Sequence, residues 1–326
     1  MTGHAPLHLT AADVHRLLPP AVAVSVARRT ATTVAAGGVS AAERTWHRPA
    51  GMPGQIGVMP CHLPADGTDP AIFTTKVVGV FPDAEVSVDG LVLVLDATTG
   101  TPLATVDAAA VTAVRTAAHS GLSIDLLARP DAATAAILGA GAQGWAHLLA
   151  AMAVRPITAV RVWNRTPARA ESMAARGADE LGLAATTAAT PGAAAAGADV
   201  VCACTNSPTP LLGAADIGPG THVTAIGAFT PDTRELAADL LAAADVIVVD
   251  DRDAAAHEAG DVLLAIAEGA ITADAVTADL PELVTGRVRA ARPAEAITVY
   301  KSVGTSAMDA VAVRALLARA PGYPRT

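Results

Sequence analysis

Apolar positions along this chain follow two patterns that change near residue 120. Beyond that point, short apolar runs alternate with alanine-rich stretches compatible with helix. The runs Ala135–Leu138, Ala159–Trp163, Asp199–Cys204, His222–Ile226 and Val246–Val249 predict strands, and Ile297–Val303 is a further candidate. Strands that alternate with helices predict a parallel sheet. Ala184–Gly197 is low in complexity and is expected to hold a short helix. Upstream, Ala71–Val80, Glu85–Leu95 and Leu103–Val106 predict strands, with a turn at Asp96–Gly100. Thr10-Ala-Ala-Asp13 has the side chains of a helix start. Val111–Leu127 is helical in period and carries Arg115 on its first turns. Ser306-Ala-Met-Asp309 predicts the cap of a last helix that reaches Arg319.

One segment joins this pattern to chemistry. Ala135–Leu138 enters Gly139-Ala140-Gly141-Ala142-Gln143-Gly144, a helical run follows, and a second strand ends at Asn164-Arg165-Thr166. That is the order of a dinucleotide-binding βαβ unit. Gly139 allows the tight turn, Gly141 lets backbone approach a pyrophosphate, and Gly144 lets helix and strand pack closely. The helix N-terminus then offers N–H groups and partial positive charge to phosphates. An acidic residue at the end of the second strand would select NAD. Asn164, Arg165 and Thr166 stand there instead, so NADP(H) is preferred and NAD(H) remains possible. Thr166-Pro167 also reads as a plain helix start, and both readings can hold together. The expected fold class is α/β. A Rossmann domain over 121–300 is joined by a second α/β domain built from both chain ends, 1–120 with 301–326.

Composition narrows the setting. A chain of 326 residues is long enough for two domains. A formal charge of −9 disfavours nucleic acid and anionic membrane as partners. Ala132–Val154 is apolar, but its glycines, Gln143 and His147 argue against a membrane span. Met1–Asp13 lacks the apolar core of a secretory leader. Cys61, Cys202 and Cys204 fit a reducing compartment, so a cytoplasmic protein is expected. No metal site is expected: His257-Glu258-x-x-Asp261 is not a two-histidine zinc helix. His119 and His147 are expected to pack or cap. Lysine occurs only at 76 and 301, and Lys76 interrupts an apolar β-type segment.

Several further segments lie in a telling order. They are Glu43-Arg44-Thr45, Gly57-Val58-Met59-Pro60, Thr74-Thr75-Lys76, Thr112-Ala-Val-Arg115-Thr-Ala-Ala118, Gly227-Ala-Phe229 with Arg234-Glu235-Leu236, and Lys301-Ser-Val-Gly304. With the glycine-rich loop and Trp163-Asn-Arg-Thr166, they resemble the ornithine cyclodeaminase/μ-crystallin family across about residues 40–315. That resemblance implies a nicotinamide cofactor, a homodimer formed through the non-Rossmann domain, and an amino acid or cyclic imine as ligand. Arg44 would hold a substrate carboxylate, with Arg48 as its rival if the register slips. Lys76 would contact the carboxylate and act at the reacting centre. Ser87 and Arg115 would reach cofactor phosphate or ribose, Ala142 and Gln143 the pyrophosphate, and Thr205, Ile226 and Gly227 the nicotinamide side. The Ser302–Gly304 turn would close the pocket floor, with Ser302 towards cofactor and Gly304 towards substrate.

One position departs from the family's cyclodeaminases. They carry an aspartate shortly after the strand end read here as Thr224-Ala-Ile-Gly227, where this chain has Phe229. Phenylalanine can neither accept a proton nor pair with an ammonium. Asp232 lies nearby but in a different register. The expected activity is NAD(P)H-dependent reduction of a cyclic imine carboxylate, with Phe229 as an apolar wall. An alanine-type dehydrogenase, a cyclodeaminase and a non-catalytic ligand-binding protein are the alternatives.

Overall fold

The computed structural model describes residues 5–67, 69–81, 88–290 and 293–323. The chain divides into two compact units, Met1–Arg115 with Thr305–Thr326, and Thr116–Gly304.

The first unit opens with β1 (Leu7–Leu9), α1 (Ala11–Leu17) and α2 (Pro20–Ala36). Thr10 and Asp13 form the expected capping box: the Asp13 N–H donates to Thr10 Oγ1 at 3.3 Å, and the Thr10 N–H to Asp13 Oδ2 at 3.1 Å. Then come β2 (Ser40–Ala41), β3 (Thr45–His47), β4 (Gln55–Leu63), β5 (Ile72–Val80), β6 (Val88–Asp96) and β7 (Pro102–Asp107). They make one sheet in the order β1-β7-β6-β5-β4-β2, with β3 also paired to β4. The Asp96–Gly100 turn forms as expected, because Asp96 Oδ1 accepts from the N–H groups of Thr98 and Thr99. β5 alternates strictly: Ile72, Thr74, Lys76 and Val78 are buried, whereas Phe73 and Val77 face outward. This period of two places Lys76 on the covered face.

α3 (Ala108–Leu127) runs through the division between the units. The second unit continues with β8 (Thr134–Leu138), α4 (Ala142–Val154), β9 (Ala159–Trp163), α5 (Pro167–Leu181), β10 (Ala184–Thr187), α6 (Pro191–Ala195), β11 (Val200–Ala203) and β12 (His222–Ala225). It ends with α7 (Ala238–Ala243), β13 (Val246–Val249), α8 (Arg252–Glu258), α9 (Gly260–Ala267), β14 (Val276–Asp279), α10 (Leu280–Thr285) and β15 (Thr298–Lys301). Its eight strands are parallel, in the order β10-β9-β8-β11-β12-β15-β13-β14. The Rossmann expectation therefore holds. The order in which successive strands are laid down reverses between β8 and β11, and the crevice at such a switch point is where these sheets bind ligands. One face of the sheet packs Leu138, Val201, Val223 and Leu240; the other packs Ile137, Leu148, Val160 and Met173. His147 lies 2.7 Å from the Gln143 carbonyl and 2.9 Å from Ser120 Oγ, and burial pushes it down to about 4, so it is neutral. Ala184–Gly197 holds the strand β10 as well as the short helix α6, whose N-cap is Thr190. Among the described residues no helix is long and apolar enough to cross a membrane.

α11 (Ser306–Leu317) closes the chain and belongs to the first unit, where it packs on α2, β4 and β5. Here the expected cap is overturned. Thr305 is the N-cap, makes no side-chain cap bond, and Asp309 turns inward instead. The helix also stops at Leu317, short of Arg319.

The glycine-rich loop is as tight as its sequence suggests. A Cβ on Gly144 would lie 2.0 Å from the Gly139 carbonyl oxygen, whereas one on Gly141 would meet nothing within 4 Å. Alanine normally improves on glycine in a helix by about 1 kcal/mol. At 144 the collision is with backbone, so the sign should reverse. Gly144→Ala is expected to lower unfolding free energy by about 1–3 kcal/mol in chemical denaturation, with Gly141→Ala close to wild type. A stabilised Gly144→Ala protein would contradict the close approach.

Candidate active site

In the first unit, candidate side chains from three elements gather around one carboxylate. Lys76 Nζ lies 2.7 Å from Asp309 Oδ2, and Arg115 Nε donates to Asp309 Oδ1 at 2.9 Å. Lys76 is 3% exposed and Asp309 2%. The Thr112 hydroxyl stands 3.4 Å from Lys76 Nζ, and Arg115 Nη1 reaches Met308 Sδ at 3.4 Å. Thus β5, α3 and α11 each supply one charged group. Burial of Lys76 pulls its ammonium down to about 8, and the nearby Arg115 and Arg44 charges pull the same way against Asp309. Burial pushes Asp309 up, but Lys76 and Arg115 outweigh it and hold the carboxyl below its usual range. Two cations, Lys76 and Arg115, share one anion, and the Arg44 charge adds to the repulsion on Lys76. Such a group favours an incoming carboxylate and lets Lys76 give up its proton near neutral pH.

Arg44 is half-buried, with its guanidinium carbon 5.7 Å from the centre of the Trp46 ring. Its rival Arg48 is exposed and spends Nε on Gln55 Oε1 at 2.8 Å. Arg44 is thereby the better-placed partner of Lys76. Ser87 lies outside the described residues.

In the second unit, the remaining candidates cluster at the carboxyl ends of the central strands. Gly139 has a φ of +103°, and a Cβ there would lie 2.5 Å from the Cys204 carbonyl oxygen. Asn164 Oδ1 accepts from the Ala140 N–H at 3.0 Å, and its Nδ2 donates to the Thr166 carbonyl at 3.0 Å. Asn164 therefore ties the loop to the end of β9. Arg165 and Thr166 are exposed; Thr166 is the N-cap of α5, followed by Pro167, yet its side chain makes no cap bond. Three observations fit a dinucleotide: open space over Gly141, an N-cap glycine with no side chain on the first N–H groups of α4, and Gln143 Oε1 buried without a hydrogen-bond partner among the described residues. Gly139 to Gly144 would hold the pyrophosphate, and Arg165 with Thr166 the ribose end.

Further along the same edge, Thr205 and Gly227 both donate to Glu235. Ile226 is buried behind them. Phe229 is half-buried against Val249, Ala255, Val262 and Val303. Ser302 Oγ and the N–H groups of Val303 and Gly304 all donate to Asp250 Oδ2, at 2.7, 2.9 and 2.6 Å. Gly304 takes a φ of +78°, which closes that turn. Sequence reasoning missed Asp309, Asp250 and the role of Glu235. Asp309 was visible as a carboxylate, but its spacing from Ser306 imitated a cap.

With only two lysines in the chain, Lys76 can be followed directly. Carbon-13 lysine NMR should show one ammonium titrating near 8. Asp309→Asn removes the carboxylate that favours the charged form, so this titration should move lower, towards neutrality. An unmoved Lys76 titration in the variant would show that the pair does not set the proton affinity.

The family model described as "Ornithine cyclodeaminase/mu-crystallin family" matches residues 8–322. The chain is 36% identical over 284 residues to mouse ketimine reductase mu-crystallin, covering 85% of this chain and 84% of that one. It is 33% identical over 249 residues to a Δ1-pyrroline-2-carboxylate reductase of Bacillus cereus, covering 75% and 76%. The solved structure of Thermococcus litoralis Δ1-pyrroline-2-carboxylate reductase in complex with NADH and L-proline superposes with a TM-score of 0.89 at 29% identity, covering 95% of this chain and 96% of that one. This chain belongs to the ornithine cyclodeaminase/mu-crystallin family.

Proposed function

We propose that this protein is an NAD(P)H-dependent ketimine reductase. Its substrate is a cyclic imine carboxylate, Δ1-pyrroline-2-carboxylate or the six-membered homologue, and its product is the cyclic amino acid. The observation that carries this reading is the buried Lys76, paired with Asp309 and flanked by Arg44 and Arg115. Arg44 and Lys76 bind the substrate carboxylate. An ammonium that titrates near 8 also holds a proton for the imine nitrogen, directly or through water, and protonation makes the adjacent carbon more electrophilic. When bound, the nicotinamide supplies the hydride for that carbon. Phe229 disfavours cyclodeaminase chemistry, because it offers neither a base nor a partner for a distal ammonium.

Arg165 and Thr166, exposed at the end of β9 with no acidic neighbour on that turn, support a preference for NADPH over NADH. The cytosol, with its reduced dinucleotides, is the setting that suits this activity. Purified protein should therefore oxidise NADPH with either imine, faster than with pyruvate plus ammonia, and should release little ammonia from ornithine with NAD. Arg165→Ala should weaken NADPH by about 1–3 kcal/mol and leave NADH nearly unchanged. Rapid turnover of ornithine with no turnover of either imine would reject the reductase reading. Binding of cofactor and imine with no turnover would favour the ligand-binding alternative.

The protein is also proposed to be a homodimer. Phe73, Val77, Leu91, Leu93 and Ile56 form an exposed apolar face on β4, β5 and β6, and Val77 sits directly opposite Leu91. A patch of this kind on a sheet is what a second copy would cover. Leu91→Glu should shift the protein to monomer in light-scattering chromatography. A dimer unaffected by charges on this face would place the interface elsewhere.

A further inference from the structure

Three charged side chains in the second unit have no solvent exposure, Glu235, Asp261 and Lys301. Burying ions in this way costs several kcal/mol each before pairing, so their arrangement calls for a physical account. Glu235 Oε1 accepts from the Thr205 N–H at 2.6 Å and the Thr205 hydroxyl at 2.7 Å, while Oε2 accepts from the Gly227 N–H at 2.7 Å. Both oxygens act as acceptors; burial pushes this carboxyl above its usual range, while Lys301 and the Thr205 bonds favour its charged form against Asp261. Asp261 Oδ1 accepts from the backbone N–H groups of Glu235 and Leu236 at 2.7 and 2.8 Å. Asp261 Oδ2 pairs with Lys301 Nζ at 2.7 Å, and Lys301 also donates to the Ala228 carbonyl. The network therefore joins the residues that follow β11 and β12 to the end of β15 and to α9.

These segments touch backbone to backbone: a Cβ on Gly227 would fall 1.6 Å from the Thr205 carbonyl oxygen. Neither turn has room to relax independently. Glu235 also occupies the N–H groups of Thr205 and Gly227, so those donors are not available to a ligand. What the strand ends present is a fixed shape, with Phe229 held just beyond the anchored Ala228.

We propose that Glu235 is a positioning residue for the dinucleotide, acting through Thr205 and Gly227 at the carboxyl edge of β11 and β12. The inference rests on the dinucleotide-binding part of the proposed function. Glu235→Gln tests it with little change of size. A glutamine oxygen still accepts from Thr205, but its NH₂ faces the Gly227 N–H, donor against donor.

Titration of the cofactor-free variant with NADPH, followed by fluorescence, should give a dissociation constant at least about tenfold above wild type. Hydrogen exchange at the Gly227 amide should quicken, and the KM for the imine at saturating NADPH should stay within about twofold of wild type. Unchanged NADPH affinity in a folded Glu235→Gln protein overturns the inference alone. Wild-type protein that binds neither NADPH nor NADH overturns the dinucleotide reading and this inference with it. If Glu235→Gln does not fold, the pair Thr205→Ser and Thr205→Val decides. Serine keeps the hydroxyl bond to Glu235 and should bind NADPH like wild type, whereas valine loses it and should bind several-fold more weakly. Equal affinity of the two overturns the proposal.

Discussion

The sharing of Asp309 between Lys76 and Arg115 is the constraint on which the first unit's chemistry depends. One carboxylate gathers charged groups from β5, α3 and α11, and it does so almost entirely out of water. Removing Asp309 would leave two buried cations without their carboxylate, at a cost of about 3–5 kcal/mol. The cluster thus couples the packing of α11 to the charge state of Lys76. It carries more positive than negative charge, which keeps Asp309 ionised and Lys76 easily deprotonated.

The second unit uses buried carboxylates for a different purpose. Asp250 collects the donors of the turn after β15, and Glu235 those of the residues after β11 and β12. Asp199 accepts from the N–H groups of Ala133 and Thr134 at the entry to β8. Each satisfies backbone groups where the regular ladder of the sheet ends. Carboxylates suit the task, because one group can accept several N–H bonds and fix several residues at once. Asp250 and Glu235 thus fix backbone at the carboxyl edge of the sheet, and Asp199 does the same at the opposite edge.

Phe229 has its meaning against this background. The turn that carries it is anchored through Ala228 and Gly227, so the ring sits in a fixed frame, packed against the apolar cluster that includes Val249 and Val262. A phenylalanine in such a frame offers neither a base nor a partner for an ammonium, whereas an acid on the same turn would offer both without requiring the frame to change.

Much of this was legible in the residues themselves. The glycine-rich loop, the βα alternation and the family resemblance all rest on short-range patterns, and short-range sterics decide them. Gly139 and Gly144 are required because neighbouring backbone leaves no room for a Cβ. The period of two along a strand sets Lys76 on the face away from Phe73 and Val77. Which of those faces is covered was not legible, because both are largely apolar; the packing of α11 decided it. Arg44 stands ahead of Arg48 by the family resemblance, and the bond of Arg48 to Gln55 gives a physical reason that the local sequence does not contain. Asp309 was misread for the same reason. Its spacing from Ser306 is that of a helix cap, but its partner Arg115 lies 194 residues away in the chain. Local sequence determined which groups could form helices, strands and tight turns. Only chain closure decided which buried charge meets which, because the cost of an unpaired ion is settled by neighbours that the local sequence does not contain.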